Sequence, residues 1–129
     1  MGRVATAWVV VAAAVLVVVG AAGAATIKLG MAASGSRQAL HPGDTLAVSL
    51  AANLSTGYSW TVDARPAALR LAGRTYTLKP GTAIGRGGTS VLTFRADRAG
   101  TGTLALGYRR IWEKGKAPLR TFRVTVVVR

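Results

Sequence analysis

Asn53-Leu54-Ser55-Thr56-Gly57-Tyr58-Ser59-Trp60 is a run of small polar residues and one glycine set between two alternating segments. Upstream, Leu46, Val48 and Leu50 alternate with Ala47 and Ser49. Downstream, Tyr58, Trp60 and Val62 alternate with Ser59, Thr61 and Asp63. A period of two marks a strand with one face buried and the other wet. The stretch between them therefore reads as a tight loop at one end of a β-structure. Gly57 accepts a positive φ without steric cost, and Asn53 and Ser55 can satisfy nearby backbone groups.

The same pattern recurs on either side. Residues 26–33 read as a first strand, with Ile27, Leu29 and Met31 on one face. Residues 37–40 extend an edge, and His41-Pro42-Gly43-Asp44 is a turn by composition. Pro66 argues against a central strand over residues 65–69. Residues 69–71 and 75–78 read as short strands around Gly73, followed by a long glycine-bearing connection over residues 79–89. Leu92 and Phe94, then Leu104, Leu106 and Tyr108, then Phe122, Val124, Val126 and Val128 mark three further strands. Trp60 and Tyr108 fall on inward faces and read as core. The sum is seven or eight short strands in about 104 residues, with turn signals every eight to twelve. The fold class expected is all-β: an Ig-like antiparallel β-sandwich preceded by an N-terminal signal or anchor helix.

That helix is expected over residues 1–25. Arg3 gives a positive start, residues 4–19 are almost wholly Ala, Val and Leu, and Ala22-Gly23-Ala24 is a small-x-small pattern that a signal peptidase accepts. The apolar run also approaches the roughly 20 residues that span a bilayer, so an uncleaved anchor is the alternative. Either reading places residues 26–129 outside the cytoplasm, secreted or in the cell envelope.

Composition narrows the chemistry. The chain has 129 residues, no cysteine and one histidine, His41, which sits in a turn. The four acids, Asp44, Asp63, Asp97 and Glu113, are scattered through turns and strand ends. A disulfide scaffold, a thiol nucleophile and thiolate metal sites are excluded, and no acid–base constellation is visible. A binding protein is expected rather than an enzyme, with no metal and no cofactor. The net charge of +13 favours polyanionic or acidic partners. No run of five cations and no aromatic–basic stripe points to nucleic acid, so none is expected as a partner.

Two more loops share the character of the first: Gly85-Arg86-Gly87-Gly88 and Arg110-Ile111-Trp112. With residues 53–58 they form three motifs in order, each flanked by strands. Together they resemble the chagasin family of cysteine peptidase inhibitors, which carries Asn-Pro-Thr-Thr-Gly-Tyr/Phe, Gly-x-Gly-Gly and Arg-Pro-Trp. The resemblance covers residues 40–129. It implies a monomeric, exported, reversible inhibitor of papain-like cysteine peptidases whose three loops form a wedge in the active-site cleft. The peptidase-facing set it implies is Asn53, Ser55, Thr56, Gly57, Gly85, Arg86, Gly87, Gly88, Arg110, Ile111 and Trp112. Ser55 holds the position that reaches the active centre in the family, and Trp112 the one that stacks on an aromatic of the enzyme.

Physical reasons accompany these assignments. Ser55 and Thr56 offer short hydroxyls to a Cys–His pair. The glycines let backbone approach backbone for strand-like pairing. Trp112 is a large rigid anchor, and Arg110 is suited to a bidentate contact. Leu54 and Ile111 stand where the family has prolines, which loosens both loops by about 0.4–1 kcal/mol each. A rival reading is a basic, envelope-associated Ig-like module that binds anionic polymers or another protein.

Overall fold

The structure, a computed structural model, describes residues 15–19, 24–81 and 87–129. Nine strands follow in order: β1 (Val15–Val19), β2 (Ala25–Leu29), β3 (Arg37–Leu40), β4 (Thr45–Ala52), β5 (Ser59–Ala64), β6 (Leu69–Leu78), β7 (Gly88–Ala96), β8 (Gly100–Arg109) and β9 (Arg120–Val128). They form one sheet in the order β1-β2-β4-β7-β6 and a second in the order β3-β9-β8-β5. The alternation in sequence is the alternation in burial. Leu46, Val48 and Leu50 of β4 and Leu92 and Phe94 of β7 turn to the interior of the first sheet. Trp60, Leu104, Leu106, Phe122, Val124 and Val126 do the same from the second. The two inner faces meet in one apolar core, whose burial is the main favourable term in folding.

The structure departs from the sequence reading at four points. Val15–Val19, expected within a leader helix, is extended and pairs antiparallel with β2. Its valines are β-branched, which favours strands wherever an edge is open to accept them. The rest of the expected leader, residues 1–14 and 20–23, lies outside the described residues. Residues 31–33 do not continue the first strand but form a 3-10 turn, and Met31 is exposed. Two pairings, β2 with β4 and β3 with β9, run parallel, so the sandwich is not wholly antiparallel. The cause is that the chain crosses to the other sheet between β2 and β4 and returns in its first direction. Finally, the two short strands expected around Gly73 are one strand, β6, carrying an irregularity between Leu71 and Gly73.

Asp44 fixes the turn before β4. Its carboxylate accepts the His41 N–H at 2.8 Å and the Ala25 N–H at 3.0 Å. Burial pulls this carboxyl upward. The two backbone donors, with the His41 ring, outweigh that pull and hold it below its ordinary value.

Candidate functional site

Register brings the loops to one end of the sandwich. In the first sheet Ala52, the last residue of β4, pairs with Gly88, and Gly88 pairs with Leu78, the last residue of β6. The roots of the 53–58 loop and of the 79–87 connection therefore share one row. In the second sheet Ser59 pairs with Arg109, and Tyr108 pairs with Arg120. The other root of the 53–58 loop thus sits beside both roots of the 110–119 loop.

The 53–58 loop is built from its own side chains. Asn53 caps a 3-10 turn at residues 54–56, its Oδ1 accepting from the Ser55 N–H at 3.1 Å and from the Ser55 hydroxyl at 2.6 Å. The Thr56 hydroxyl donates to the Asn53 carbonyl at 2.7 Å. Both hydroxyl protons expected to reach a peptidase are therefore engaged within the loop, and each oxygen keeps acceptor capacity toward solvent. The Asn53 N–H donates to the Tyr108 hydroxyl at 2.8 Å, which ties the turn to the core. Gly57 ends the turn at φ 84°.

The 110–119 loop clamps onto this turn. The Arg110 Nε donates to the Thr56 carbonyl at 2.9 Å, and its guanidinium lies 4.5 Å above the Tyr58 ring. Its Nη1 meets the Glu113 carboxylate at 3.3 Å, and Lys116 stands 3.9 Å from the same carboxylate. Such half-exposed pairs are worth at most about 1 kcal/mol each. They matter by orienting Arg110, which braces the two loops. The Trp112 indole lies directly on Gly57, so that a Cβ built at residue 57 would clash with the indole Cη2 and come within 2.9 Å of Cζ2. Trp112 nonetheless remains 63% exposed, and Ile111 beside it 68%. Leu54 and Leu78 add exposed apolar surface at the same end.

The glycine motif divides. Gly85 and Arg86 lie outside the described residues. Gly87 rests against the first loop, where an added Cβ would meet the Ala52 carbonyl at 3.0 Å and the Asn53 Cβ at 3.7 Å. Its carbonyl accepts the Lys79 N–H at 3.0 Å. Gly88 is buried as the first residue of β7, and a Cβ there would strike the Thr77 carbonyl. Its lack of a side chain serves the close approach of β6 to β7.

Asn53, Ser55, Thr56, Gly57, Gly87, Arg110, Ile111 and Trp112 are thus gathered at one end, with Gly88 beneath them. Trp60 and Tyr108, read as core, are fully or nearly buried. The sequence reading missed a supporting stack. Tyr58 and Tyr108 lie with centroids 5.3 Å apart, Trp60 lies 5.1 Å from Tyr108, and the Arg120 guanidinium sits 4.7 Å from the Tyr108 ring. The cue was present in two tyrosines, Tyr58 closing the first motif and Tyr108 two residues ahead of Arg110. Glu113, three residues after Arg110, is a second cue, since the Glu113 N–H closes a turn onto the Arg110 carbonyl at 3.1 Å.

Residues 39–126 match the model of the family described as Chagasin family peptidase inhibitor I42. Among curated proteins, Amoebiasin-2 of Entamoeba histolytica is 34% identical over 88 residues, covering 67% of this chain and 72% of that protein. Among solved structures, the cysteine protease inhibitor EhICP2 from Entamoeba histolytica has the same fold, with a TM-score of 0.71 at 29% identity over 79% of this chain and 94% of that one. PbICP-C, solved in complex with falcipain-2, shares the fold at a TM-score of 0.50 and 16% identity, covering 81% of this chain and 98% of that one.

Proposed function

The chain belongs to the chagasin family of peptidase inhibitors, and on that premise we propose that it is an exported, reversible inhibitor of papain-like cysteine peptidases. It works by filling the active-site cleft with three loops whose roots share one end of the sandwich. The observation that carries this reading is the clamp of Trp112 and Arg110 on the 53–58 turn. An aromatic anchor is held in place before binding, so little conformational freedom is lost when it docks. A similar structure is a cysteine protease inhibitor, and a fold-level neighbour was solved bound to falcipain-2.

In this mechanism the turn at residues 54–56 enters the centre of the cleft. Ser55 and Thr56, their protons engaged inside the loop, present acceptor oxygens. Acceptors complement a thiolate–imidazolium pair, whose imidazolium donates. Trp112 and Ile111 cover one wall. Backbone around Gly87 lies against the other and pairs with it in strand fashion. The chain has no cysteine, and the only histidine sits in the turn ahead of β4, away from the loops, so no covalent trap is built in. Inhibition is occlusion.

The test is a titration of the folded chain into papain while hydrolysis of a fluorogenic peptide is followed, with Trp112→Ala alongside. Loss of a hot-spot aromatic costs about 2 kcal/mol, or roughly 30-fold in the inhibition constant. Inhibition reversed by dilution and weakened to that degree in the variant is expected. A folded chain that leaves papain untouched, or a variant equal to the parent, would overturn the reading.

A further inference from the structure

Asp44 and the start of β2 form a site at the far end of the sandwich from the loops. Three of the four acids meet an arginine or lysine within 4 Å: Asp97 with Arg70, Asp63 with Arg109, and Glu113 with Arg110 and Lys116. Asp44 differs. Its side chain is only 7% exposed, and among the described residues its sole basic neighbour is the His41 ring, 3.8 Å away and itself 84% exposed. In a chain of net charge +13, the most buried carboxylate meets no lysine or arginine within 4 Å among the described residues. What it has instead is the backbone N–H of Ala25, 19 residues away in sequence, at 3.0 Å.

Ala25 directly follows Ala22-Gly23-Ala24. We propose that signal-peptidase cleavage of the Ala24–Ala25 bond makes Ala25 the mature N-terminus, and that its new α-ammonium ion-pairs with Asp44. The proposal rests on reading residues 1–24 as a leader. In the cut, water adds across the amide. The carboxylate stays on Ala24, and the nitrogen departs with Ala25 and takes up a proton. The nitrogen already within bonding distance of Asp44 then carries three donors and a full charge in place of one N–H. The carboxylate already strengthens its bond to the neutral N–H; the ammonium adds the attraction of two opposite full charges, which burial enhances. The buried carboxylate gains a full cation that no lysine or arginine among the described residues supplies.

The geometry suits release. Thr26 pairs with Thr45 at the start of β4, whereas the inhibitory turn leaves the end of β4. Loss of β1 strips an edge strand and leaves two four-stranded sheets. Among the described residues, the buried core runs from Ile27 to Val128, and the chain from Ala25 retains all of these.

Two measurements decide the matter. The full chain is expressed with its leader in a bacterium, and the exported product is sequenced from its N-terminus. Ala25 as first residue is expected; any other terminus, or an uncut chain, overturns the proposal. Separately, chains 25–129 and 23–129 are compared with and without Asp44→Asn. The substitution should lower the thermal midpoint by about 4 °C more when the ammonium is on Ala25 than when it is two residues away. Equal losses overturn the ion pair while leaving the leader reading standing. Papain inhibition should be the same for both chain lengths, which separates failure here from failure of the inhibitory reading.

Discussion

Gly57→Ala should remove most of what Trp112 contributes to binding while leaving the sandwich folded. Residue 57 sits at φ 84° and ψ −7°, a left-handed conformation that costs an L-residue about 1–2 kcal/mol. For a domain of this size that lowers the thermal midpoint by roughly 5–10 °C. The second effect is specific. An alanine Cβ would lie 2.9 Å from the Trp112 Cζ2 and 3.3 Å from Cζ3, with Cη2 nearer still. The indole must leave its seat on the first loop. Backbone strain is equal in free and bound inhibitor and cancels in the inhibition constant, whereas the lost seat does not. The expected rise is up to about 30-fold, the share of a single hot-spot aromatic. The assay is papain inhibition by four chains: parent, Gly57→Ala, Trp112→Ala and the double variant. If the seat is the cause, Gly57→Ala adds nothing once Trp112 is gone. Losses that add, or a Gly57→Ala chain that inhibits like the parent, would refute the reasoning.

Other expectations follow from single contacts. Tyr108→Phe keeps the ring stack but leaves the Asn53 N–H without its 2.8 Å acceptor, and should cost about 1–3 kcal/mol in a denaturant melt. Leu54→Pro places a proline at the first residue of the 3-10 turn, where the family carries one. It should tighten papain inhibition by roughly two- to five-fold, equivalent to about 0.4–1 kcal/mol. Asp44 is held below its ordinary value in the fold, so its contribution is present above the unfolded value of 3.8 and lost as pH falls through the lower folded one. A series of melts at decreasing pH should show that loss in the parent and a flatter acid limb in Asp44→Asn. Because Glu113 offsets Arg110 and Lys116, papain inhibition should change by less than about three-fold between 0.05 and 0.5 M salt, whereas a polyanion-binding surface would lose affinity steeply.

Much of the core was legible because alternation is a local signal. Trp60, Phe94, Leu106 and Phe122 announce their faces through their neighbours two residues away. The extended state of Val15–Val19 was not legible, since an apolar run of Ala, Val and Leu suits a helix or a strand equally. What decides is the open edge of β2, which the composition of residues 15–19 does not reveal. Met31 failed for a related reason. It keeps the alternation of Ile27 and Leu29, but Gly30 ends the strand and the chain turns to cross between sheets. At the site, the motif residues were visible and their internal uses were not. Arg110 suited a contact with a partner, yet its Nε and Nη1 are engaged by Thr56 and Glu113. That depends on the register of Ser59 with Arg109, which brings the two loops together. The Ser55 and Thr56 hydroxyls likewise turn inward because Asn53 caps the turn.

Protection of papain's catalytic cysteine from alkylation tests the central claim most directly. Papain is held with a saturating amount of the chain, iodoacetamide is added, and carbamidomethylation of the active-site thiol is followed by mass spectrometry. Occlusion by the three loops predicts that the alkylation rate falls in proportion to the fraction of enzyme bound, and that the inhibitor is recovered with its mass unchanged. A bound, inhibited papain whose cysteine is alkylated at the rate of the free enzyme would contradict the account.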